Sequence, residues 1–315
     1  MQDILFVKTS SLGDVIHHMP AVAEARVHFP SARLSWVVEE GFAPLVRLHP
    51  AVDQVIPVGM RRWLRHWHSP AAWREAVRFR RELAARSFDI VIDSQGLLKS
   101  ALVSRCAQAP RHGYDARSIR EPLAARFYDV RHSVSRQAHA ITRNRILTAR
   151  ALGYEPRGEP CAGLDRAALA DVSAAPYAVL LHATAQDQKL WPETDWRALA
   201  ADLGSTIDLA LPWGTSPERE RALRIARDVP RARVPERMAL DDMARLIAGA
   251  AFVVGVDTGL LHLAAALGVP LVAIFLGSDP VLTGPVGEGP IAILGSRGAP
   301  PSLAQVRAAI EEVTC

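Results

Sequence analysis

The chain has 315 residues, 49% hydrophobic and 22% charged, with a net charge of +4. That length exceeds what one hydrophobic core usually organises, so two domains are expected. Cys106, Cys161 and Cys315 lie far apart with no CxxC pair, which excludes a disulfide scaffold or a zinc site and fits a reducing cytoplasm.

The chain opens with MQDILFVK, with no basic segment leading a long apolar stretch, so no signal peptide is expected. Residues 4–7, 35–38 and 89–92 read as buried strands, with helical stretches at 15–29 and 71–86. From 61 to 86 eight arginines face only Glu75 and Glu82, a local charge of about +6. The polar, Pro- and Gly-containing stretch 153–176 separates the two halves. Beyond it, residues 177–181, 207–211, 252–256 and 271–275 read as further strands. Short β runs alternating with longer amphipathic stretches give βα units and a parallel sheet. Residues 260–277 are apolar enough to raise a membrane span, but His262, Gly268 and Pro270 interrupt them. They read as a helix, a turn and a buried strand. Ser302 and Gln305 form a capping box, and Leu303, Val306, Ile310 and Val313 recur at helical spacing. No GxGxxG follows the first strand, so the usual dinucleotide fingerprint is missing.

Chemistry concentrates where strands end. Lys8-Thr9-Ser10-Ser11-Leu12-Gly13-Asp14 follows the first strand, where ligands of open α/β sheets bind. A carboxylate there can take a proton from a sugar hydroxyl, although on the residues alone a helix cap is the simpler role for Asp14. Val256-Asp257-Thr258-Gly259-Leu260-Leu261-His262 again ends a strand and opens a helix whose N–H groups attract an anion. Asp257 could hold sugar hydroxyls there, and His262 reads equally as a satisfied core histidine. In the loop 182–192, Thr184 and Lys189 suit a diphosphate. Glu218 could accept from ribose hydroxyls or simply favour a first helical turn. Arg61-Arg62-Trp63-Leu64-Arg65-His66-Trp67-His68 alternates base and aromatic residues, a pattern that suits nucleic acid, anionic lipid or a phosphorylated sugar. A solvated basic face over buried Trp63 and Trp67 is the plain alternative. Lys99 and Arg120 are further cationic loop candidates.

In this order, KTSSLGDVIH, WVVEEGFA, VIPVGMRRW, IDSQGLLKSA, REPLA, HAT…K…WPE, LPWG…E and VDTGLLHL resemble glycosyltransferase family 9, the heptosyltransferases, over nearly the whole chain. The resemblance implies an α/β protein of the GT-B type, with two Rossmann-like βαβ domains facing a cleft. It assigns 1–165 to an acceptor and 166–315 to a donor, with a terminal helix that in this fold often crosses back to the first domain; on the residues alone, packing on its own domain is equally open. It makes Asp14 the catalytic base. Thr184, Lys189, Glu218, Asp257, Thr258, Gly259 and His262 fall on donor positions, and Arg61, Arg62, Arg65, Lys99 and Arg120 on acceptor positions.

The implied reaction is inverting transfer of heptose from ADP-heptose to a Kdo hydroxyl of Kdo2-lipid A, with no cofactor, no metal and no nucleic-acid partner. The implied location is peripheral, on the cytoplasmic face of the inner membrane. Lys-Thr-Ser-Ser-x-Gly-Asp separates this reading from the second-heptose enzyme, and a nucleotide-sugar epimerase of the same fold is the other alternative. Two departures stand out. Ala185 replaces a second hydroxyl after the HAT threonine, and Leu276-Gly277-Ser278-Asp279-Pro280 replaces Gly-Pro-(Ser/Thr)-Asp-Pro, which unsettles the backbone approach of that loop.

Overall fold

The structure, a computed structural model, describes residues 2–171, 175–184 and 186–315. The chain divides into two compact units, 1–163 and 164–315.

In the first unit six strands form one sheet: β1 (Asp3–Val7), β2 (Arg33–Glu39), β3 (Gln54–Val58), β4 (Ile90–Asp93), β5 (Arg111–Tyr114) and β6 (Val130–His132). Their order is β3-β2-β1-β4-β5-β6, every pairing parallel, with Ile4 opposite both Leu34 and Ile90. Such strands are covered on both faces, which is why β1 reads as an unbroken apolar run. The expected helix at 15–29 is two helices, Leu12–Ile16 and Met19–His28. Pro20 sits in the first turn of the second, where its missing N–H costs nothing, whereas within one continuous helix it would break the ladder.

The second unit carries β7 (Tyr177–Leu181), β8 (Asp208–Ala210), β9 (Ala232–Arg233), β10 (Phe252–Val256), β11 (Leu271–Ile274) and β12 (Ile291–Leu294). Their order is β12-β11-β10-β7-β8-β9, again all parallel. Numbered within its own unit, each sheet therefore runs 3-2-1-4-5-6, the doubly wound order. In each, the order reverses between its first and fourth strands.

The terminal helix Leu303–Thr314 is used up within its own unit. Val306, Ala309, Ile310 and Val313 join the core that contains Trp191, Trp196, Val254 and Val272. Its apolar stripe is spent on that sheet, the packing on its own unit that the sequence left open. Among the described residues no helix is long and apolar enough to cross a membrane.

Candidate functional site

At the end of β1 the loop Lys8–Ser11 is held from β4's side of the switch point. Gln95 Oε1 accepts from the backbone N–H of Thr9 and of Ser10, both at 3.0 Å, and Lys99 Nζ donates to Ser10 Oγ at 3.1 Å. Asp14 lies in the first turn of the helix Leu12–Ile16, slightly inside the start expected for it. Its Oδ2 accepts from Ser11 N at 2.7 Å and Ser11 Oγ at 3.1 Å, leaving Oδ1 outside this capping pair. The cap role weighed from sequence is thus real, and it orients the half-buried carboxylate without using all of it.

Beneath the loop Lys8 is buried, donating to Ser94 O at 2.9 Å and Asn144 Oδ1 at 3.4 Å. Burial lowers its pKa, opposed by the carboxylates of Asp14 and Asp93. Asp93, fully buried, accepts from Tyr128 OH at 2.8 Å and from the backbone N–H of Gln95 and Gly96. Burial raises its pKa to about 6 against those hydrogen bonds. Gly113 makes this possible, because a Cβ there would collide with the Tyr128 ring.

The acceptor candidates divide by what holds them. Arg61 N donates to Glu39 Oε1 at 2.9 Å while its guanidinium lies over the Phe42 ring, 5.2 Å from the centroid. Burial pushes the Glu39 carboxyl up, and the positive charges of Arg61 and Lys99 pull it back. Arg61, Lys99 and Asp14 thereby share the C-terminal edge of the sheet. Arg120 is exposed beside Glu121, whose side chain accepts from Leu98 N at 2.7 Å. Arg65 is exposed on the helix Met60–Arg65. Arg62 differs: it pairs with Glu40 at 2.9 Å and with Glu75. Those partners fasten its helix to the end of β2 and to the helix Pro70–Ala84. The plain alternative for the tryptophans is half right. Trp63 is half-buried against Phe79 and donates to Glu75, whereas Trp67 is 68% exposed.

In the second unit four side chains converge on Asp257, from the segment 182–192, the loop after β11 and the helix Gly259–Ala266. Lys189 Nζ is 2.6 Å from its Oδ2, Ser278 Oγ donates to the same oxygen, and His262 Nε2 stands 3.8 Å from Oδ1. Thr184 Oγ1 donates to its backbone carbonyl at 3.0 Å. Burial would raise the Asp257 pKa, but the hydrogen bonds from His262, Lys189 and Ser278 outweigh it and hold the carboxyl well below the usual carboxylate range. Thr258 occupies the N-cap position of the helix Gly259–Ala266 without a side-chain cap hydrogen bond, and the first N–H groups of that helix open beside this cluster. His262 is buried one turn inside that helix, so its core position and its contact with Asp257 coexist.

Glu218 is a capping residue here: Oε2 accepts from Gly214 N at 2.7 Å and Thr215 N at 3.2 Å. Leu276 packs into the core, and a Cβ on Gly277 would stand 3.0 Å from Lys189 Cγ. The departure at 276–277 therefore keeps a close backbone approach to Lys189, with glycine supplying it. Ala185 lies outside the described residues.

Sequence reasoning missed Gln95, Glu39 and Ser278 as site-builders. Each follows or ends a strand, which is the one signal that could have raised them. Among the described residues no group of three or more His, Cys, Asp or Glu side chains could hold a metal ion.

The description "Glycosyltransferase family 9 (heptosyltransferase)" matches residues 76–309. The chain is 45% identical over 294 residues to lipopolysaccharide heptosyltransferase 1 of Salmonella typhimurium strain LT2, covering 92% of this chain and 93% of the relative. It superposes with a TM-score of 0.93 on E. coli heptosyltransferase WaaC with ADP, at 43% identity and 99% coverage of both chains. The TM-score is 0.90 against the same E. coli enzyme with ADP-2-deoxy-2-fluoro heptose, at 41% identity and 99% coverage of both.

Proposed function

The chain belongs to glycosyltransferase family 9, the heptosyltransferases, and from that premise we propose that it transfers heptose from ADP-heptose to a Kdo hydroxyl of Kdo2-lipid A. This places it in assembly of the lipopolysaccharide inner core. The observation that carries the donor half is the cluster of Lys189, Ser278 and His262 around Asp257, next to a helix N-terminus. Lys189, the hydroxyl of Thr184 and the N–H groups opening at Gly259 suit a diphosphate, which needs positive charge and donors at fixed positions. Asp257, kept ionised, suits the sugar hydroxyls. Glu218, near the next strand's end, suits the ribose. The ligands of the two E. coli structures support an ADP-linked heptose as donor.

In the reaction, Asp14 takes the proton of the attacking Kdo hydroxyl as its oxygen bonds to the anomeric carbon. The bond from that carbon to the phosphate oxygen breaks, and ADP leaves with the electron pair. Attack opposite the leaving group inverts the centre with no covalent intermediate, so one base suffices. Charge growing on ADP is met by Lys189 and the helix Gly259–Ala266, a preorganised arrangement that asks for no metal ion. Arg61, Arg65, Lys99 and Arg120 supply the cationic rim for an anionic acceptor. Such an acceptor resides in a membrane, so the enzyme works peripherally, at the cytoplasmic face of the inner membrane.

The test is to incubate the protein with ADP-heptose and deacylated Kdo2-lipid A and to follow ADP and the product mass. Heptosyl-Kdo product with ADP released only in the presence of that acceptor is expected. Donor turnover without acceptor, or transfer only to an already heptosylated acceptor, would overturn the reading.

A further inference from the structure

The helix Met60–Arg65, the turn after it and the helix Pro70–Ala84 leave an unusual set of side chains in solvent. Leu64 is 64% exposed, Trp67 68%, Trp73 63% and Val77 44%. Scattered apolar side chains on a surface need no account, but a contiguous group of large ones does. Three of them are contiguous: the Trp73 indole N–H donates to the Trp67 carbonyl at 2.6 Å, and Trp73 and Val77 are one helical turn apart. The opposite face of that helix is spent on the core, where Leu83 is buried and Phe79 packs against the same cluster. Nothing inside the unit therefore remains for Trp73 and Val77 to cover.

The charge around them has one sign. Arg74, Arg78 and Arg81 are exposed at i, i+4 and i+7, on the helix face adjoining Trp73 and Val77. Of the two acidic residues in the segment, Glu75 is taken by Arg62 and Trp63, and Glu82 lies 3.9 Å from Arg78.

We propose that this outer face, led by Trp67, Trp73 and Val77 and flanked by Arg74 and Arg78, docks on an anionic phospholipid bilayer. The chemistry matches at two depths. Indole rings settle at the boundary between headgroups and acyl chains, and arginines reach the lipid phosphates just outside it. A second copy of the chain fits poorly, because a symmetric contact would bring two such arginine groups together. The docking residues Trp67, Trp73, Arg74, Val77 and Arg78 are other residues than the acceptor candidates Arg61, Arg62 and Arg65. It rests on the proposed lipid-borne acceptor for its purpose, but binding to vesicles is read with neither donor nor acceptor present, so the two ideas fail separately.

The full chain is sedimented with vesicles of phosphatidylcholine alone or mixed with phosphatidylglycerol, at low and high salt. The wild type should partition onto the anionic vesicles and release as salt rises. Trp67→Ser/Trp73→Ser and Arg74→Glu/Arg78→Glu should each partition about tenfold or more weaker, with turnover of the water-soluble deacylated acceptor unchanged. The arginine variant leaves the Trp73–Trp67 turn intact, so it decides even if the tryptophan variant misfolds. Equal binding to neutral and anionic vesicles, wild-type binding by the arginine variant, or a wild-type dimer abolished by the tryptophan changes would overturn the proposal.

Discussion

Lys189 Nζ and Asp257 Oδ2 stand 2.6 Å apart, with side chains only 18% and 9% exposed. A half-enclosed pair of this kind holds a lysine charge at a fixed point while keeping the aspartate ionised.

Lys189→Ala should raise the donor's Michaelis constant by roughly tenfold to a hundredfold, the worth of one charge-assisted hydrogen bond. The constant for the acceptor should change little, since Lys189 builds only the second unit's cluster. Steady-state kinetics with each substrate varied in turn provides the check. An unchanged donor constant would leave the pair a structural bridge.

Asp14→Ala should lower turnover by roughly 10²–10⁴-fold, the usual worth of a positioned base. Because Asp14 also caps its helix, Asp14→Asn is the sharper variant. It can still accept from Ser11 N but cannot take a proton at neutral pH. Loss of turnover with unchanged melting temperature and donor binding marks a base; near-normal turnover in Asp14→Asn would leave only the cap.

The arginines should separate in two assays. Arg61→Ala with Arg65→Ala should raise the acceptor's Michaelis constant and flatten its salt dependence, with the ADP-heptose constant unchanged. Arg62→Ala should show a modest fall in melting temperature, because it cuts the ties to Glu40 and Glu75. An effect of the first pair confined to ADP-heptose would place the patch on the donor.

Turnover should survive excess chelator, since Lys189 and a helix N-terminus meet the leaving group's charge. ADP release that stops in EDTA and returns with magnesium would refute this.

Stability should carry the signature of Asp93. Its folded pKa is raised from 3.8 to about 6, so between those values the folded chain keeps a proton that the unfolded chain loses. The group's contribution must therefore fall as pH rises through that window. Melting temperatures of the wild type and Asp93→Asn, taken at about pH 4 and pH 7, isolate the effect. The wild type should lose ground against the variant on going to neutral pH, and a constant gap would contradict the assignment.

The sequence by itself determined the βα alternation, the polar loops at strand ends and every central strand except β5, whose residues Arg111–Tyr114 form no apolar run. A parallel strand covered on both faces leaves a continuous apolar run, and the turn that follows must be polar; both signals are local. The half-exposed edge strands β3, β6, β9 and β12 left no such run. Only the tertiary structure decided which polar residues meet. Thr184 and Lys189 from one loop, Ser278 from another and His262 from the helix Gly259–Ala266 all reach Asp257, and Gln95 reaches Thr9 and Ser10 across the switch point of its own sheet. Neighbouring arginines parted in the same way. Arg62 found Glu75 on another helix, while Arg61 kept its guanidinium over Phe42. Hydrophobic periodicity is written in adjacent residues, whereas a hydrogen bond or an ion pair depends on atoms that only the folded chain brings within reach.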